Sequence, residues 1–460
     1  MQKQRIQLSD HFTYLRLYRF VMPTIIMMVF TSIYSVVDGL FVSNFVGGIP
    51  FAALNLIFPL IMVLGSVGFM LGTGGNAVVS KKLGESDSKG AKEVFSMLTY
   101  VTIVVGIGLA LLGIILARPI ARWFVSFEKD MSAEDRVSMI EHCVLYARIV
   151  LAALPGFMLQ NAFQGFFVTA EKPRLGLYVI VLAGCMNIFL DYLFVAVFKL
   201  GLAGAALATA ISQMIGGITP LFYFGRKNNS LLRLCKTHYD GKILFEVCVN
   251  GSSELLSNIS MSLVTILYNS QLMRFAGING VSAYGIIMYA NFVFISIFIG
   301  YSIGSAPIVG YNYGAGNKKE LQNVLKKSLI TTAVFGFLMS VTAWLSSDTL
   351  AFIFVSKDER LYNLTVHGFN LYAYAFLVCG LNIFASAFFT ALSNGLISAL
   401  ISAFRIALQI IMVLVLPIFW AVEGIWYSIV VAEVLSALFS IGCLYWKRKR
   451  YEYFATRSVL

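Results

Sequence analysis

Twelve apolar runs, each long enough to cross a bilayer core of about 30 Å at about 1.5 Å per residue, divide this chain from end to end. They lie at roughly 20–45, 52–79, 94–117, 143–169, 175–198, 201–224, 245–273, 281–311, 328–346, 367–392, 397–419 and 424–446. A segment surrounded by lipid must satisfy its own backbone hydrogen bonds, and runs of this length do so as helices. The closest pairs are parted only by short breakers, Lys199-Leu200-Gly201 and Ser393-Asn394-Gly395. With 59% hydrophobic and 12% charged residues, the expected fold is an all-α polytopic membrane protein with twelve transmembrane helices in two six-helix lobes.

Charge confirms the count by its distribution. The basic residues fall on alternate sides of the runs: 24 Lys and Arg on the side holding both termini and 81–92, 172–174, 226–242 and 318–327. The other side has eight: Arg118, Arg122, Lys129, Arg136, Lys199, Arg274, Lys357 and Arg360; Arg148 and Arg405 lie inside runs. By the positive-inside rule both termini are cytoplasmic. The net charge of +12 therefore reads as topogenic, and no nucleic acid partner is expected. The basic N-terminal stretch has no small-residue cleavage site and reads as a lead-in to the first helix. Cys143, Cys185, Cys235, Cys248, Cys379 and Cys443 are scattered, without a CxxC pair, and read as packing residues. His11, His142, His238 and His367 form no ligand pattern, so no metal is expected.

The halves resemble each other. At an offset of 232, Gly68, Gly72, Gly84, Ser96 and Thr99 fall on Gly300, Gly304, Gly316, Ser328 and Thr331, and Thr73 on Ser305. Phe167, Thr169 and Ala170 likewise fall on Phe388, Thr390 and Ala391 after the loop at Glu128–Asp135 shortens the spacing. Six helices per half put both halves in the membrane the same way round, as parallel repeats related by a pseudo-two-fold axis with a cavity between them. The expected division is 1–225 as the N-terminal lobe, 226–244 as a cytoplasmic linker, and 245–460 as the C-terminal lobe with its basic tail.

Within the fifth run, Asn187 and Asp191 stand one helical turn apart on one face. An ionisable group at mid-membrane costs about 2.5–3.5 kcal/mol on insertion scales and marks an ion, proton or substrate site. Asp191 lies eight residues before Lys199 and Thr209 eight after Gly201, which puts both about 12 Å below that surface. Asp38 reaches nearly the same layer from the first helix. Two carboxylates, an amide and a hydroxyl form an oxygen set suited to a proton or a hard monovalent cation. Competing readings are an Asp38–Arg148 ion pair and a Thr209 hydroxyl bonded to its own helix. Glu254 reads either as cavity-lining or as a buried hydrogen-bonding group, while Arg405, Glu423 and Glu433 read as packing or interfacial groups. Tyr34, Tyr268, Tyr284 and Tyr289, with Phe157 and Phe166, are candidates to line a cavity for aromatic or cationic molecules.

Tyr34-Ser-Val-Val-Asp38-Gly-Leu-Phe-Val, Asn187-xxx-Asp191 and Pro307-xx-Gly310-Tyr-Asn-Tyr-Gly-Ala-Gly316-Asn together resemble the multidrug and toxic compound extrusion (MATE) transporters, of the bacterial MepA/DinF-like kind. The resemblance covers nearly the whole chain. It implies a cation site in the N-terminal lobe at Asp38, Asn187, Asp191 and Thr209, and a bending proline in helix 1 at Pro23. Sodium-coupled NorM-like members add an acid pair in the other lobe; Glu254 matches the first, but 367–392 contains no acid, so coupling is expected in the N-terminal lobe. The expected function is a secondary active multidrug efflux antiporter, monomeric, exporting amphipathic or cationic small molecules in exchange for H+ or Na+, with no other cofactor. A lipid-linked saccharide flippase of the same superfamily and a passive channel are the alternatives. The chain lacks the dyad or metal cluster of a membrane-embedded transferase and lacks a P-loop, so it is not read as an enzyme.

Overall fold

Side-chain caps, rather than the ends of the apolar runs, set where several of the helices start. In the computed structural model, which describes residues 6–126, 132–355 and 358–454, α1 (Tyr14–Phe45) opens on Thr13, whose hydroxyl accepts from the Arg16 N–H. A short turn leads to α2 (Gly48–Gly84). Asp87 then caps α3 (Ser88–Val125) by accepting from the Gly90 N–H. The fourth span, α4, has two arms, Ala133–Ala152 and Leu154–Thr169, bent by 54°. α5 is Pro173–Asp191 continued by a π-helical turn, Tyr192–Val197, and α6 is Gly201–Gly225.

The second half repeats this plan. Gly241–Gly314 is two spans, α7 and α8, parted at Gly277, whose φ of 66° and ψ of −158° suit a residue without a Cβ. α9 is Lys318–Val355; α10 runs through Glu359–Tyr372, Ala373–Ala375 and Phe376–Ala391. Gly395–Tyr451 is parted at Trp420 and Ala421 into α11 and α12. Among the described residues this makes twelve spans and no strand. Lys3, Arg5, Glu128, Lys129, Lys357 and Arg457, used above for orientation and alignment, lie outside the described residues.

Several helices outrun the apolar stretches that announced them. α3 and α9 each have 38 residues, about 57 Å of helix against a core of about 30 Å. Their first turns are charged and capped, by Asp87 on α3 and Asn317 on α9, so hydropathy does not see them.

The pseudo-symmetry is real, but its register differs from the offset of 232. An added Cβ at Gly84 would strike the Tyr311 carbonyl, and one at Gly314 would strike the Lys81 carbonyl. The helix-ending turns after α2 and α8 have Ser86 and Gly316 at the same φ of 64°. These reciprocal pairs are 230 residues apart, so Gly84 corresponds to Gly314 and not to Gly316. Likewise Glu171 and Ser393, both at φ 55°, align α4 with α10 one residue beyond the match of Phe167 to Phe388. Glycines recur so often in these helices that identities line up in more than one register; the left-handed turns choose the true one.

On the basic face the lobes are in close contact. Gly74 lies against the Val247 carbonyl, Gly251 against Met70 and Gly300 against Ile25, letting backbones approach as small residues do in membranes. The first helix of each half crosses over: Phe20, Val21 and Ile25 of α1 pack with Tyr301, Ile308 and Leu325, while Val247 of α7 packs with Leu71, Val78 and Phe95. Residues 226–240 are non-helical and are pinned along α3, with the Cys235 N–H donating to Ser96 and Thr237 to the Glu93 carbonyl.

Candidate functional site

Gly184, on α5, faces the rings of Phe30 and Tyr34 closely enough that a side chain there would collide with them. That approach brings Asp38, one turn further along α1, to the end of α5. There Asp191, fully buried, and Asp38 lie carboxyl to carboxyl. Both Asp191 oxygens and Asp38 Oδ1 have no hydrogen-bond donor among the described residues. Two acceptors facing each other need a proton or a cation between them, because ionised together they repel.

Thr209 on α6 completes this layer. Its hydroxyl has no hydrogen-bond partner among the described residues, so it is not spent on its own helix, and it lies against the Tyr146 hydroxyl of α4. Tyr146, 3% exposed, also faces Asp38 and Asp191. One turn toward the basic face, Asn187 is buried with Oδ1 free of a donor. The structure thus brings Asp38, Asp191 and Thr209 together, with Asn187 below them. Arg148, the rival partner for Asp38, is exposed on α4.

Sequence reasoning did not find Tyr146, nor Gln160, whose carboxamide neighbours the Tyr34 hydroxyl, nor Gln213, whose buried Oε1 also has no donor. Their position in otherwise apolar helices was the available signal. The π-helical turn starting at Tyr192 follows Asp191 directly; such turns interrupt regular helix bonding and are common at functional sites. Pro23 sits inside α1, which remains helical from Tyr14 to Phe45.

Of the aromatic candidates, Tyr34 faces this cluster from α1, beside Asp38 and Gln160, whereas the others lie elsewhere. Tyr268 and Tyr284 stack at 5.3 Å inside the C-terminal lobe, where the Tyr268 hydroxyl meets Ser428 Oγ at 2.7 Å. Tyr289 is partly exposed and stacks on Phe354 of α9 at 5.9 Å. Glu254 is half-buried on α7. Phe157 packs on Phe69, and Phe166 on Phe95 within the N-terminal lobe. Glu423 pairs with His367 at 2.7 Å on an exposed surface, whereas Arg405 and Glu433 form a buried pair.

Twelve helices in two pseudo-symmetric lobes, with a donor-poor acid pair inside one of them, define a polytopic membrane protein built around an intramembrane polar site. The chain belongs to the MatE family, whose family model matches residues 23–193 and 255–415: it is a member of the MATE multidrug efflux transporters. It is 23% identical over 432 residues to the multidrug export protein MepA of Staphylococcus saprophyticus, covering 94% of this chain and 93% of that one. MepA of Staphylococcus aureus strain N315 is 22% identical over 436 residues, with 94% and 93% covered. Among solved structures, a MATE in complex with MaD3S superimposes with a TM-score of 0.88 at 20% identity, covering 98% of this chain and 99% of that chain. An outward-facing multidrug resistance MATE family transporter of the MOP superfamily gives 0.88 at 20% identity, with 99% and 100% covered.

Proposed function

We propose that this protein is a secondary active antiporter that exports amphipathic, often cationic small molecules in exchange for H+ or Na+, with Asp38, Asn187, Asp191 and Thr209 as the coupling site. The observation that carries this reading is the Asp38–Asp191 pair, whose facing acceptors have no donor on either Asp191 oxygen among the described residues. A proton or Na+ entering between the carboxylates neutralises them, and a cationic substrate competes for the same charge. Coupling follows if ion and substrate prefer different states. Closure of the lobes on the basic face fits a state whose interior opens to the opposite side.

In this reading both termini and 226–244 are cytoplasmic, residues 1–225 and 245–460 form the two lobes, and the protein works as a monomer in a bacterial inner membrane. Neutralising the acids lets α1 repack about Pro23, whose ring removes one backbone hydrogen bond from the helix. Tyr34 lies beside this region, while Glu254, Tyr268, Tyr284 and Tyr289 belong to the opposite lobe. The resemblance of the chain to MepA proteins supports drug-like substrates.

Proteoliposomes loaded with a cationic dye test the reading under an imposed proton gradient and, separately, a sodium gradient. Uphill dye movement driven by one gradient, lost in Asp191→Asn, is the expected result. Movement that ignores both gradients would mark a channel, and export unchanged in Asp191→Asn would remove the coupling site from these residues.

A further inference from the structure

The two lobes build the same corner from different chemistry. Glu171 and Ser393, with equal φ, set α4 and α5 in register with α10 and α11. Gln160 and Asn382 each lie eleven residues before those turns; Asn187 and Gln409 lie sixteen after, and Asp191 and Val413 twenty after. Gly204 and Gly424 set α6 against α12, since an added Cβ at each would meet the carbonyl of Phe194 or Leu416 on the preceding helix. Nine residues beyond them stand Gln213 and Glu433. Ile25 and Gly251 make reciprocal contacts with Gly300 and Met70, and thirteen residues beyond them stand Asp38 and Val264.

Both N-terminal acids therefore have valine counterparts, and Val264 and Val413 share one buried apolar cluster. The acid of this lobe at the position equivalent to Gln213 is Glu433, 1% exposed. Its Oε1 accepts from Arg405 Nε at 2.7 Å, Arg405 Nη2 at 2.7 Å and Gln409 Nε2 at 3.0 Å; its Oε2 accepts from Asn382 Nδ2 at 2.8 Å. Asn382 Oδ1 in turn accepts from Ser440 at 3.0 Å. In the other lobe the equivalent groups Gln160 Oε1, Asn187 Oδ1 and Gln213 Oε1 have no donor among the described residues.

We propose that Arg405 is a tethered cation, holding permanently in the C-terminal lobe the role that an exchangeable proton or Na+ plays in the N-terminal lobe, so that one lobe alone exchanges ions. This rests on the antiport reading above. A guanidinium is charged at every accessible pH and its planar fork suits a carboxylate, so Glu433 has a counter-ion that cannot leave. The other titratable groups facing the pair are Tyr268 from α7 and Tyr372 and Cys379 from α10, with Tyr284 of α8 behind Tyr268; all are neutral as acids. Arg405 is a positioning residue in this scheme: it fixes the charge of Glu433 and touches no substrate.

The test follows the thermal unfolding midpoint of the purified protein against pH and Na+. Wild type responds to the coupling cation, and Asp38→Asn/Asp191→Asn loses that response. Adding Arg405→Gln to that double variant should restore a cation response, because Glu433 then needs a mobile partner, and adding Glu433→Gln should remove it again. No restored response from the folded Arg405→Gln protein overturns the proposal. Should that variant fail to fold, Glu433→Gln in the Asp38→Asn/Asp191→Asn background decides: a residual cation response abolished by Glu433→Gln would show native exchange in this lobe and overturn it, and no residual response upholds it. Gradient-driven export unaffected by Asp191→Asn is a separate result, which sinks the antiport reading itself.

Discussion

Asp38 and Asp191 meet carboxyl to carboxyl from α1 and α5, and neither Asp191 oxygen has a donor among the described residues. Asp191→Asn replaces one acceptor with a carboxamide that can donate to Asp38, so the pair is satisfied without an ion. Gradient-driven export should fall at least tenfold, about 1.4 kcal/mol, with folding retained. Protons or Na+ should raise the thermal midpoint of wild type, and raising pH at low Na+ should lower it. In Asp191→Asn that dependence should flatten; a variant with the wild-type profile would show that the ion binds elsewhere.

Close backbone approach on the basic face is a second point of control. A side chain at Gly74 would run into the Val247 carbonyl, so Gly74→Val should hold the lobes apart there. Spectroscopic distances between probes on α2 and α8 should lengthen near Lys81 and Gly314, and export should drop. Gly108→Val is the control, since an added Cβ at Gly108 meets nothing within 4 Å. Equal distances in the two variants would mean that the glycine contact does not limit closure.

Twelve spans and the acid layer were legible in the sequence because each depends on one-dimensional signals: hydrophobic length, alternation of charge, and depth counted from helix ends. Asp191 and Thr209, each eight residues from a breaker, do share a layer. What could not be read depends on rotation about helix axes. Tyr146 joins Asp38, Asp191 and Thr209 only because α4 turns that face inward, and no spacing in the chain encodes this. The repeat register is hidden for a related reason: glycines match at many offsets, and the reciprocal Gly84–Tyr311 and Gly314–Lys81 contacts, with the left-handed turns at Ser86 and Gly316, distinguish 230 from 232. Arg405 and Glu433 read as packing or interfacial groups, and the structure buries them as a pair; their 28-residue separation hides the contact that two adjacent helices make.

The segment before α1 straps the lobes together. The Leu8 N–H donates to Glu171 Oε1 at 2.8 Å, beside the N-terminal lobe, while the Phe12 N–H donates to Glu320 Oε1 at 2.9 Å on α9. His11 Nδ1 lies 2.7 Å from Glu320 Oε2, and Asn323 Nδ2 donates to Oε1 at 2.7 Å. Hydrogen bonds to a charged group are worth about 1.5–3 kcal/mol each when one partner is lost. Glu320→Ala, which removes the acceptor of all three contacts, should therefore lower stability by at least about 2 kcal/mol and expose residues 6–12 to protease. Glu320→Gln keeps an acceptor for Phe12 and should cost less. Equal thermal midpoints for wild type and Glu320→Ala would show that the strap adds nothing.

Asp87 gives a pH effect that can be separated from the buried pair. It caps α3 outside the apolar layer, and the Gly90 N–H at 2.8 Å, followed by Lys82 at 3.2 Å, holds its carboxyl below the usual carboxylate range. A carboxylate whose folded-state value is depressed stabilises the fold at neutral pH, and that contribution is lost as pH falls through the folded value. Asp87→Ala should thus cost about 1 kcal/mol at neutral pH, the usual worth of such a cap, with the difference from wild type shrinking in acid. Asp87→Asn should retain most of the stability and lose the acid sensitivity, because the amide oxygen still caps but does not titrate. On the antiport reading, binding of the coupling ion to Asp38 and Asp191 should act in the opposite sense, so thermal midpoints of Asp87→Asn and Asp191→Asn measured over one pH series distinguish the two. A midpoint for Asp87→Ala that stays parallel to wild type down into the acid range would rule out the carboxylate as the titrating cap.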